Sequence, residues 1–140
     1  MKKAVLKFYF LFFSVFLFEF KVYSQNDTNT NKNETLKYAE QMPEFPGGVN
    51  ALIDFINKNI IYPKQAVRKK IEGTVYVKFI INKEGYAVNF EIMDKNKLGY
   101  GLEEAAIEVL KKMPKWEPGY QNKIPVEVSM VIPITFKVKN

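Results

Sequence analysis

Neither cysteine nor histidine occurs anywhere in the 140 residues, and each absence removes a class of chemistry. Without cysteine there is no disulfide framework, no thiolate nucleophile, no zinc site of the Cys type and no attachment point for a lipid. Without histidine the commonest general base, the commonest metal ligand and every His-dependent triad are gone. The titratable groups that remain are carboxylates and lysines at surface-like positions, and no pair is spaced as an acid and base couple. These absences argue for a protein that is not an enzyme, binds no cofactor or metal, and holds its fold by packing alone.

Proline is also missing until Pro43. The charge excess is small once the N-terminus is set aside. The chain carries +6, but residues 1–24 supply Lys2, Lys3, Lys7 and Lys21 against Glu19, which leaves 17 basic and 14 acidic residues in the body. Lysines there alternate with glutamates and do not interleave with aromatics in a stripe, so nucleic acid is excluded as a partner.

What is present begins with a charged start, Met1 to Lys7, followed by Phe8 to Phe18, apolar except for Ser14. This is the pattern of a secretory signal. Lys7 and Glu19 bracket 11 residues, short of the roughly 20 that a membrane helix needs, although the run lengthens to Tyr23 if Glu19 and Lys21 are tolerated. Val22 and Ser24 stand where a signal peptidase accepts residues, placing the cut before Gln25. The two readings of 1–24 are therefore a cleaved signal and a short membrane anchor, and both export the body. Residues 25–41 are assigned as a polar linker on the Asn and Thr content of Gln25 to Asn33, with Thr35 to Gln41 able to begin an ordered lead-in. The domain proper is placed at 42–140.

Within it, Met42 to Gly48 is a turn-rich stretch. Leu52, Phe55, Ile56 and Ile60 mark an amphipathic helix from Val49 to Ile60. Pro63 suits the first turn of a second, short helix, Lys64 to Lys70, whose Arg68, Lys69 and Lys70 read as its wet side. After Gly73 the apolar period changes to two. Val75, Val77, Phe79 and Ile81 alternate with polar partners, Asn82 to Gly85 makes a turn, and Val88, Phe90 and Ile92 return on one face. Leu102, Ala105, Ala106, Val109, Leu110 and Met113 form the stripe of another helix, with Glu103 and Glu104 at its start and Lys111 and Lys112 at its end, as the dipole favours. Trp116 reads as a core plug beside that helix end, with a ligand platform as the alternative.

The last stretch, Val126 to Val138, has apolar residues at every even position: Val126, Val128, Met130, Ile132, Ile134, Phe136 and Val138. That is a strand with one face on a core. Pro133 has no N–H to give a ladder, which makes this an edge strand, either merely blunted or open to another chain. The elements together predict an α+β, two-layer domain: an antiparallel three-stranded sheet with two main helices packed on one side.

Tyr62, Pro63, Ala66, Ile71, Gly73, the alternation of Val75, Val77 and Phe79, then Gly85, Trp116, Pro118 and Gly119 before a terminal strand resemble the C-terminal domain of TonB. The Pro-x-Phe-Pro-Gly-Gly lead-in resembles the Bacteroidota branch of that family of energy transducers. The resemblance covers about 100 residues, from near Tyr38 onward. It implies a periplasmic module in TonB-dependent transport that grips the TonB box of an outer-membrane receptor by strand addition. It further implies that the peptide pairs with the last strand, here Val126, Glu127, Val128, Ser129, Met130, Val131, Ile132 and Thr135, and is steered by residues ahead of Tyr62-Pro63, here Asn57, Asn59 and Ile61. The alternatives are an anchored transducer that engages an inner-membrane motor complex, and an assembly module that forms a homodimer through its edge strand. A full transducer resembling TonB carries a histidine on its membrane helix and a proline-rich rod. This chain has no histidine, and residues 25–42 would extend only about 60 Å when stretched.

Overall fold

The computed structural model describes residues 34–95 and 97–138. The expected signal or anchor at 1–24 and the first part of the linker lie outside the described residues. Among those described, no helix is long and apolar enough to cross a membrane.

The main sheet has three antiparallel strands in the order β2, β1, β5, where β1 is Gly73–Ile81, β2 is Ala87–Ile92 and β5 is Val128–Phe136. The alternation read from the sequence is the alternation of burial. Val75, Val77, Phe79 and Ile81 of β1 and Val128, Ile132, Ile134 and Phe136 of β5 are buried. Helix α1, Gly48–Asn59, helix α2, Lys64–Arg68, and helix α3, Leu102–Lys111, follow the expected spans within one or two residues. Leu102, Ala106, Val109 and Leu110 carry α3 into the core, whereas α1 has no fully buried residue and adds Ala51, Leu52, Phe55 and Ile56 as a partly covered outer layer. The fold class is the expected two-layer α+β arrangement. Glu103, buried in the first turn of α3, is satisfied by the Gly99 N–H, which reaches its two carboxyl oxygens at 3.1 and 3.2 Å, as a buried polar group requires.

Trp116 is 4% exposed and packs edge-on against Phe45, with centroids 5.4 Å apart. Phe79 stands beside it at 6.1 Å. It plugs the end of the core. Its main chain also holds the hairpin turn, because the Trp116 N–H donates to the Gly85 carbonyl at 2.8 Å. Asn82 Oδ1 closes the same turn by accepting from the N–H groups of Glu84 and Tyr86.

Three details depart from the sequence reading. First, Val88 does not share a face with Phe90 and Ile92. Asn89 takes a left-handed φ of 56°, the register shifts between Lys78 and Ile80, and the resulting bulge puts Ala87 on the core side while Val88 stands opposite Ile80. Second, the polar run at Tyr120 to Lys123 is a hairpin joining β3, Gly119–Gln121, to β4, Ile124–Val126. Asn122 and Lys123 both have positive φ, as a two-residue primed turn demands. Val126, expected in the last strand, pairs with Gly119 in this second sheet, and the last strand starts at Val128. Third, the linker does not run to residue 41. Leu36 bridges to Val128, Gln41 to Tyr120 and Glu44 to Glu117. The carboxylate of Glu40 accepts from Asn122 N–H and Gln121 Nε2 as well. Residues 36–45 therefore belong to the fold, held by main-chain bonds that carry no hydrophobic periodicity.

A Cβ at Gly85 would stand 2.0 Å from the Trp116 carbonyl oxygen, on a residue with φ of 91°. Gly85→Ala is expected to destabilise the domain by about 3 kcal/mol through clash and backbone strain together. Urea denaturation would check this, and a midpoint unchanged from wild type would refute the close approach.

Candidate functional site

Tyr76 determines which way β5 presents its main chain. Its N–H donates to Asp94 Oδ2 at 3.0 Å and its carbonyl accepts from Met93 N–H at 3.0 Å, so both groups turn toward β2. Facing residues of an antiparallel ladder alternate between pairs that exchange bonds and pairs that do not. Pro133 faces Tyr76, so its main chain turns away from β1. The alternation assigns the bonding groups of Val128, Met130, Ile132, Ile134 and Phe136 to β1. Those of Glu127, Ser129, Val131, Pro133 and Thr135 go to the open side.

Part of that open side is already occupied. Leu36 N–H donates to the Glu127 carbonyl at 2.9 Å, and Ser129 N–H donates to the Leu36 carbonyl at 2.8 Å, a single parallel bridge from the chain's own lead-in. Beyond it the outward groups of Val131, Pro133 and Thr135, together with the Ser129 carbonyl, have no partner among the described residues. The far end is marked by Tyr62, whose ring stands edge-on to Phe136 at 5.3 Å.

The expected edge-strand set is thereby sorted. Val126 belongs to β4, and Val128, Met130 and Ile132 spend their main-chain groups on β1. Glu127 and the N–H of Ser129 are engaged by Leu36. Val131 and Thr135 remain as full bonding positions, and Pro133 joins them as an acceptor alone. Of the expected steering residues, Asn57 is exposed near the end of α1. Asn59 turns its side-chain Nδ2 back onto the Phe55 carbonyl at 2.8 Å, and Ile61 is 69% exposed. The Tyr62 ring contact brings their segment to the Phe136 end of β5.

The motif residues are structural. Tyr62 OH donates to the Ile71 carbonyl, and burial of the ring, with the Glu72 carboxylate second, pushes its hydroxyl above the ordinary tyrosine range. Pro63 caps the start of α2, and Gly73 opens β1 opposite Phe136. Pro118 and Gly119 are buried; a Cβ on Gly119 would meet Val128 Cγ2 at 2.6 Å. Among the described residues no group of three or more acidic side chains stands where it would hold a metal ion. Leu36 was missed by sequence reasoning, since one bridge by one apolar residue in a polar stretch leaves no periodic signal.

A family model described as the Gram-negative bacterial TonB protein C-terminal matches residues 58–138, more than half of the chain. The chain belongs to the TonB C-terminal family. Protein TonB of Campylobacter coli is 33% identical over 75 residues, a match that covers 51% of this chain and 32% of that protein. The match therefore spans about a third of the relative's length. The solution structure of the Helicobacter pylori TonB C-terminal domain, residues 179–285, is 27% identical, with a TM-score of 0.47 over 68% of this chain and 88% of that one. A shorter form of the same domain, residues 194–285, is 24% identical, with a TM-score of 0.43 over 65% of this chain and 94% of that one.

The Tyr62 hydroxyl gives a pH signature. Unfolded, it ionises near 10; folded, it holds its proton to higher pH. Its contribution to stability is complete below about pH 10 and is lost as pH rises through the folded value. Tyr62→Phe is expected to cost about 1 kcal/mol at neutral pH by removing the bond to Ile71. Denaturation of both proteins between pH 8 and 11 should show the wild-type advantage shrinking above pH 10. A gap that stays constant would count against the bond.

Proposed function

We propose that this TonB-family domain grips an extended segment of an outer-membrane TonB-dependent receptor, the TonB box, by adding it as a strand to the open side of β5. The observation that carries this reading is Leu36. Its N–H donates to the Glu127 carbonyl just ahead of β5 and its carbonyl accepts from the Ser129 N–H of β5, both from outside the sheet, so the edge has the geometry to take up main chain, and the next positions along it are vacant of protein partners among the described residues. Membership in the TonB C-terminal family supports the choice of partner, and the signal-like start of the sequence supports a periplasmic setting. In strand addition main-chain groups supply the register, and the alternate side chains of the added segment supply the specificity. The opposite edge fits the role less well: β2 is interrupted by the bulge at Asn89, which breaks the even spacing a new strand needs.

The test is titration of the purified full-length protein with a synthetic TonB-box peptide while amide resonances and their hydrogen exchange are followed. Protection should appear at the Val131 and Thr135 amides. Thr135→Pro removes one outward donor and the hydroxyl bond to Thr74 at 2.9 Å but leaves the main-chain ladder to β1 in place, so it should weaken binding about fivefold. Absence of binding, or binding that leaves both amides unprotected, would reject strand addition at this edge.

A further inference from the structure

Pro133 stands at the centre of the open stretch, between Val131 and Thr135, both β-branched and both ordinary strand residues. It is exposed and its main chain turns outward, so the N–H that proline lacks is missing from the open side. No bond to β1 is lost. The missing donor therefore takes nothing from the β1–β5 ladder and bears on whatever pairs with the open side of β5.

Its effect depends on the partner. A peptide laid antiparallel across Val131, Pro133 and Thr135 meets the missing donor once. A second copy of the chain, paired edge to edge about a two-fold axis, brings its own Pro133 to the same interface. If the axis passes through Pro133, the two prolines face each other and both bonds of that rung vanish. If the register is shifted, each proline faces another residue of the opposite copy and each rung loses one bond. Every two-fold register that includes Pro133 loses two donors. A shift large enough to exclude it leaves a single rung, because Leu36 already holds the Ser129 N–H.

We propose that Pro133 selects what this edge accepts, admitting a foreign extended peptide at the loss of one main-chain bond while making self-pairing lose two. The peptide half of this statement rests on the function proposed above; the self-pairing half does not. Proline on an edge strand is a recognised way to blunt it. Here its position blunts the edge unequally, because symmetry doubles the defect for one partner and leaves it single for the other.

The experiment compares full-length wild type with Pro133→Val by sedimentation equilibrium, and then by titration with the synthetic TonB-box peptide. At about fivefold per restored hydrogen bond, the variant should self-associate about 25-fold more strongly than wild type and bind the peptide about fivefold more tightly. Pro133→Thr repeats both measurements should the valine variant fail to fold. A variant that remains as monomeric as wild type overturns the proposal. So does wild type that forms a dimer as tight as the variant's. Failure of the peptide to bind either protein, with self-association of the variant intact, would count against the receptor-peptide reading alone. Peptide binding that Pro133→Val leaves unchanged, without self-association, would overturn the role of Pro133 and leave that reading standing.

Discussion

The ladder between β1 and β5 is the constraint on which the rest depends. It runs through nine consecutive residue pairs, from Gly73 with Phe136 to Ile81 with Val128, without a bulge. Two alternations of period two coincide along it. Even-numbered side chains of β5 face the core, and the same residues bond to β1; odd-numbered side chains face the helix-free side, and the same residues bond outward. A slip of one residue would expose the core face and exchange the bonding edge together. The packing of Val128, Ile132, Ile134 and Phe136 thus determines which main-chain groups are left for a partner. The outward residues can change in sequence without disturbing the core, so the edge can be tuned independently of the fold.

The open stretch is short because the lead-in and the small hairpin close its beginning. Residues 36–45 run from Leu36 on β5, past Gln41 on β3, to Glu44 beside Glu117. Gly119 permits this layering, since any side chain there would collide with Val128 and crowd the Gln41 carbonyl at 3.2 Å. Gly85 does the same at the other end of the core, under Trp116. The conspicuous glycines and aromatic of the terminal motif therefore do not contact the open positions. They hold the elements that bound them.

Much of the architecture was legible in the sequence because it rests on side-chain periodicity. The helix stripes and the alternation in β1 and β5 leave a repeating pattern, and single residues, Gly85 and Pro133, announce the hairpin turn and the edge position. What was not legible rests on main-chain geometry. The bulge at Asn89 replaces Val88 by Ala87 on the core face, and alternation alone assigns those residues wrongly. The turn at Asn122-Lys123 has no glycine, the residue that usually reveals a primed turn. The bridge at Leu36 is made by backbone atoms of a stretch whose composition reads as a tether. For the candidate site, location could be read from the strand pattern and the family resemblance. The division of that strand into engaged and open residues could not, because it follows from where Tyr76 sends its N–H and carbonyl.

Magnitudes decide how affinity and register are shared at such an edge. An antiparallel partner across Val131, Pro133 and Thr135 can form five main-chain bonds, two at each outer residue and one at the proline. At about 1 kcal/mol net each these give about 5 kcal/mol, and association costs at least about 4 kcal/mol before any side chain is ordered. Main-chain pairing alone therefore positions a partner without holding it. Holding requires apolar burial at about 25 cal/mol per Å². The side chains placed to provide it are Val131 and Tyr76 on the helix-free face, 47% and 45% exposed, and Ile61 at the Phe136 end, 69% exposed. The partner's side chains against these surfaces must then carry most of the discrimination between segments, while Pro133 and Leu36 limit where along β5 any segment can lie.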